Sequence, residues 1–81
     1  MTDQTKTPEH VVRMENELFE LDERITKAGD FLTSPSGQRN LNRTQTHLLH
    51  IQLDAMRAYR RVLATRIEYD TSIHESQDAQ G

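Results

Sequence analysis

Cysteine and tryptophan are both missing from this 81-residue chain, and apolar residues make up only 33% of it, with two Phe and two Tyr as the whole aromatic complement. Without cysteine no disulfide can staple the fold, and the absence fits a reducing compartment. A core so thin rarely stabilises a small domain by more than about 3–5 kcal/mol, so self-association is the expected source of further burial. Long apolar runs are missing as well. No stretch approaches the ~18 consecutive apolar residues of a membrane span, and the opening "MTDQTKTPEH" has neither the basic start nor the apolar run of a signal peptide. A soluble, intracellular chain without membrane partners is expected. Positive charge is not in excess either: the formal net charge of −3 argues against a general nucleic-acid binder, DNA included, that works by cationic excess.

What is present is unevenly placed. Residues 8–33 carry seven acids (Glu9, Glu15, Glu17, Glu20, Asp22, Glu23 and Asp30) against Arg13, Arg24 and Lys27. Residues 42–69 carry five arginines (Arg43, Arg57, Arg60, Arg61 and Arg66) against Asp54 and Glu68. Opposite signs favour packing one half against the other, within or between chains.

The periodicity predicts an all-α fold, an antiparallel two-helix hairpin that assembles into a symmetric homo-oligomer. Thr7–Pro8 reads as a helix start, because the hydroxyl can cap free amides and proline loses nothing at the first helical position. From there Val11, Met14, Leu18, Leu21, Ile25, Ala28 and Leu32 follow steps of three and four, and Val12, Phe19 and Phe31 widen the stripe. This predicts a flexible segment at 1–6 and a first helix over 8–33. "TSPSGQRN" gathers turn residues and predicts a loop over 34–41. A second helix is expected over 42–69, capped by Asn42 or Thr44, with Leu48, Leu49, Gln52, Leu53, Met56, Tyr59, Leu63 and Ile67 toward the core. Beyond Tyr69 the periodicity lapses, and 70–81 is expected to be a flexible tail.

Little in the sequence points to catalysis. The carboxylates of the first helix read as a solvated face, no phosphate loop or nucleophile motif accompanies them, and two helices do not enclose a cleft. No enzyme activity and no cofactor are expected. His47 and His50 share a face at metal-ligand spacing, but no third ligand completes a site, so no metal is expected.

The cations are more informative. Arg66 lies three residues after Leu63 and seven after Tyr59, at the margin of the core stripe, so it is expected to be partly buried or at an interface. A desolvated guanidinium needs a partner: a carboxylate such as Glu17, Glu20 or Asp22, or a phosphate. Lys27 sits among the small residues Thr26, Ala28 and Gly29. Two readings stand side by side: a low helix surface where the amine and the Thr26 hydroxyl meet an anion, or a solvated lysine suited to the negative end of the helix dipole.

"HVVRMENELFELDERITKAGDFL" and "LLHIQLDAMRAYRRVLATRI" carry a resemblance through the spacing of Arg13, Glu17, Leu21, Ile25, Lys27 and Phe31 with Leu49, Gln52, Met56, Tyr59, Leu63, Arg66 and Ile67. Over residues 10–32 and 48–67 the chain resembles the small helical-hairpin proteins of crAss-phage-related bacteriophages, the anti-CBASS cyclic-oligonucleotide sponge family. The resemblance implies a homohexamer, in the cytoplasm of an infected bacterial host, that captures cyclic oligonucleotide second messengers without cleaving them. It implies Lys27, with Thr26 beside it, at the phosphates of a cyclic dinucleotide held between protomers. It implies Arg66 in a cyclic trinucleotide pocket where three protomers meet, with Arg61 and Tyr59 as lesser candidates. The stacking aromatic of the family falls at Val12, with His10 two residues before it. Valine cannot stack, a loss of about 1–3 kcal/mol per base, which turns the expectation toward the trinucleotide pocket or another adenine-containing signal. The alternative is a structural or protein-binding helical hairpin with no nucleotide ligand.

Overall fold

The computed structural model of the protein describes residues 7–80, and every regular element among them is helical: α1 (Glu9–Thr33), α2 (Pro35–Asn40) and α3 (Arg43–Gln80). The flexible segment expected at 1–6 lies outside the described residues, as does residue 81.

α1 starts behind Pro8, which takes the cap position that Thr7 was expected to fill. No side chain caps this end; the Pro8 carbonyl instead accepts from the amides of Val11 at 3.0 Å and Val12 at 3.1 Å. Glu9 in the first turn suits the positive end of the helix dipole. α1 ends at an extended Ser34, whose hydroxyl donates to the Phe31 carbonyl at 2.8 Å and accepts from the Gly37 amide at 2.9 Å.

That second bond makes Ser34 the cap of a new helix, with Pro35 in its first turn, so the expected loop at 34–41 is corrected to a short helix between two extended residues. Gly37 is essential to it. A β-carbon at that position would sit 1.9 Å from the Phe31 carbonyl oxygen, so only glycine lets α2 fold back this tightly on the end of α1.

α3 opens with a reciprocal cap: Asn42 Oδ1 accepts from the Gln45 amide at 2.7 Å, and Gln45 Oε1 accepts from the Asn42 amide at 2.9 Å. It then runs to Gln80, so the tail expected at 70–81 is corrected to helix as far as the described residues extend. No proline or glycine occurs between Gly37 and Gly81 to stop it. His10 of α1 reaches α3 beyond the expected end, with Nε2 3.3 Å from Asp70 Oδ2.

α1 and α3 lie side by side in opposite senses, His10 meeting Asp70 near the start of α1 while Asp22 meets Arg60 farther along. Val11, Met14 and Leu21 pack with Leu63 as a buried cluster, and Leu18, Ile25, Met56 and Ile67 half-close over it. Leu53 is buried as well. The expected placement of Leu48, Gln52 and Tyr59 toward the core is corrected: all three are exposed. α3 carries a second apolar stripe about a third of a turn round from the inner one, and these residues do not belong to the inner one. The inner stripe is Leu49, Leu53, Met56, Arg60, Leu63, Ile67, Asp70 and His74, each buried or half-buried. The outer stripe includes Leu48, Ile51, Val62, Tyr69 and Ile73, which are bare. No helix among the described residues is long and apolar enough to cross a membrane.

Candidate ligand-binding hollows

The seam between α1 and α3 is tied by three polar bridges. Arg60 donates through Nε to Asp22 Oδ1 and through a terminal nitrogen to Oδ2 at 3.1 Å, a two-point grip of guanidinium on carboxylate. This hydrogen bond, helped by the Arg60 charge and opposed by partial desolvation, holds the Asp22 carboxyl below its ordinary range. The Tyr59 hydroxyl donates to Glu17, and His10 meets Asp70. Arg60 falls four residues after Met56 and three before Leu63, the position on the inner stripe that a carboxylate on α1 can reach.

Of the two places expected for Arg66, partly buried or at an interface, the first is corrected. Arg66 is exposed, not partly buried, in the single chain, and it has no ion-pair partner among the described residues; the helix-one carboxylate expected for it belongs to Arg60. Arg66 and Arg61 instead line a shallow hollow of about 600 Å³ on the outer side of α3, with Val62, Thr65, Tyr69 and Asp70. A second hollow, of about 370 Å³, lies on α1 and is lined by Phe19, Asp22, Glu23, Thr26 and Lys27. Here Thr26 and Lys27 do come together. Gly29 does not reach this hollow, and Ala28 is half-buried, so the hollow beside Lys27 is formed by the spacing of side chains on α1 rather than by the glycine.

The remaining candidates fall elsewhere. His10 shares a smaller hollow, of about 180 Å³, with Pro8, Asp70, Ile73 and His74. Val12 is exposed and lines none of the three, and neither does Tyr59. Phe19, Glu23, Thr65 and Tyr69 were not singled out from the sequence. Their signal was helical spacing: Phe19 and Glu23 lie eight and four residues before Lys27, Thr65 four after Arg61, and Tyr69 three after Arg66.

The Lys27 and Arg66 hollows are separate. With Asp22 level with Arg60, Lys27 lies five residues along α1 and Arg66 six residues along α3 in the other direction; eleven residues of helical rise part them by roughly 16 Å. Each of these two hollows is walled by a single helix and opens outward, so a ligand lying in either keeps one face uncovered until something else closes over it.

A model of a protein family described as Sequestin matches residues 8–69, a span that includes Thr26, Lys27, Arg61, Arg66 and Tyr69 and stops before Asp70. Comparison with curated proteins and with solved structures gives no match.

Proposed function

We propose, from the premise that this chain belongs to the Sequestin family, that it is a non-catalytic sponge for cyclic oligonucleotides, a helical hairpin working as a homo-oligomer. The family name supports a sequestering role. The observation that carries the ligand class is the pair of outward hollows whose cations, Lys27 in one and Arg61 with Arg66 in the other, have no carboxylate partner among the described residues. Cyclic di- and trinucleotides are rings of phosphates carrying flat bases, and each hollow offers cationic, hydroxyl and aromatic groups side by side: Lys27, Thr26 and Phe19, or Arg66, Thr65 and Tyr69.

Assembly supplies the missing walls. The bare stripe of Leu48, Ile51, Val62 and Tyr69 runs beside the Arg66 hollow, and burying it against further copies would turn an open face into a pocket between protomers. A hexamer is the assembly the sponge resemblance implies. Binding without cleavage needs only charge, shape and exclusion of water, and the protein would act in the cytoplasm of an infected bacterial host, lowering free messenger and so blocking CBASS-type signalling.

The same bare stripe also suits a structural or protein-binding role with no nucleotide. Calorimetric titration with cyclic dinucleotides and trinucleotides separates the two readings. Lys27→Ala is expected to weaken dinucleotides, and Arg66→Ala trinucleotides, each by about 10- to 150-fold, the worth of a charge-assisted hydrogen bond. Light scattering should show the assembly intact in both. No heat with any cyclic nucleotide would leave the protein-binding reading in place.

A further inference from the structure

Phe19 is the most conspicuous apolar side chain on α1: 65% exposed, one residue off the buried seam, and lining the same hollow as Thr26 and Lys27. Its packing within the chain does not account for it. The polar groups of that hollow are also unequally engaged. Arg60 occupies both carboxylate oxygens of Asp22, whereas Glu23 makes no hydrogen bond or ion pair among the described residues and keeps its acceptors open.

A simple anion would use the Lys27 amine and the Thr26 hydroxyl and leave both Phe19 and Glu23 idle. A nucleotide would use all four, because it joins a phosphate to a ring with a π-face and to an edge of N–H donors. The order along the helix suits such a molecule. Phe19, Glu23 and Lys27 are four residues apart on one face of α1. About 12 Å of helical rise separates Phe19 from Lys27, a gap the long lysine stem can shorten.

Resting on the sequestration reading above, we infer that Phe19 is the base-stacking surface of the Lys27 hollow and that Glu23 accepts from the exocyclic amine of the stacked base, selecting cyclic dinucleotides with amino-bearing purines. Stacking on an aromatic ring tolerates any base, so the ring sets affinity; the carboxylate, an acceptor only, sets which edge is welcome.

The test uses the full-length assembled protein, titrated with cyclic di-AMP and with cyclic di-IMP, whose hypoxanthine lacks the amine. Phe19→Leu, apolar but without a π-face, should bind cyclic di-AMP about 5- to 150-fold more weakly, while Phe19→Tyr stays close to wild type. Proton NMR of the bound ligand should show base protons shifted upfield in wild type and not in Phe19→Leu, a signature that a packing role would not produce. Glu23→Gln should erase most of the preference for cyclic di-AMP over cyclic di-IMP. Unchanged affinity in Phe19→Leu, or a changed particle mass by light scattering, overturns the stacking role; an unchanged preference in Glu23→Gln overturns the edge reading. Wild type that binds neither ligand at any concentration refutes the dinucleotide arm of the sequestration reading itself, an outcome distinct from wild type that binds and a Phe19→Leu variant that binds as well.

Discussion

Val62 and Leu63 are neighbours in α3, of the same chemistry and nearly the same size, yet Leu63 is 0% exposed in the heart of the cluster and Val62 is 57% exposed on the flank of the helix. One residue of helix turns a side chain by about 100°, enough to move it from the inner stripe to the outer. The inner stripe is complete within one chain: apolar residues meet α1, and the polar members Arg60 and Asp70 have partners there. The outer stripe is equally regular and has nothing against it among the described residues. A helix with two such faces has room for a second neighbour, which is what the assembly proposed above would supply.

The sharpest way to break the comparison is to change the two residues in turn. Leu63→Ala removes fully buried methyl groups from a core with few others to spare, and should cost about 2–5 kcal/mol, seen as a drop in the chemical unfolding midpoint and loss of helical signal near ambient temperature. Val62→Asp should leave the stability of the single chain within about 0.5 kcal/mol, because it buries nothing there, yet shift the particle mass in light scattering toward one protomer. If both variants lose stability alike and neither changes mass, the outer stripe is not an interface.

A smaller effect sharpens the polar side of the seam. The Asp22 carboxyl is held below its ordinary 3.8 by Arg60, so the pair contributes stability that is present above the unfolded aspartate value and lost as pH falls through the lower folded one. Asp22→Asn should therefore be less stable than wild type at neutral pH, with the two curves converging in strong acid. Parallel curves across the acid range would remove the ion pair from the account.

The smallest effect concerns Gly29. A β-carbon there meets nothing within 4 Å, so Gly29→Ala should raise stability by about 0.4–1 kcal/mol and leave ligand affinity unchanged. A fall in affinity would restore the glycine gap as the place where the ligand approaches α1.

The seam of α1 was readable because its apolar residues keep one register of three and four, and the structure buries or half-buries Val11, Met14, Leu18, Leu21, Ile25, Ala28 and Leu32 along it. α3 misled for a physical reason: with apolar residues on two sides, periodicity alone does not say which side is inner, so Leu48 and Tyr59 were read inward. Arg60 breaks the inner apolar pattern, and nothing in the spacing of α3 alone tells that Asp22 lies opposite it. Ser34–Pro35 repeats the Thr7–Pro8 start signal, but the glycine and serines around it read as loop because the close approach of Gly37 to Phe31 is a tertiary fact. Of the candidate site, Thr26 was legible as the chain neighbour of Lys27, and Arg61 beside Arg66 only through the family resemblance. The placing of Val12, Tyr59 and His10 apart from those hollows depended on how α1 and α3 meet.

Sequestration is best probed by adding the protein to one side of a dialysis membrane at equilibrium with a cyclic di- or trinucleotide, then heating that side and assaying what is released. The account predicts that the free messenger falls in proportion to protein added and returns in full, chemically intact, on denaturation. A messenger that never leaves solution, or that comes back as linear or smaller products, contradicts it.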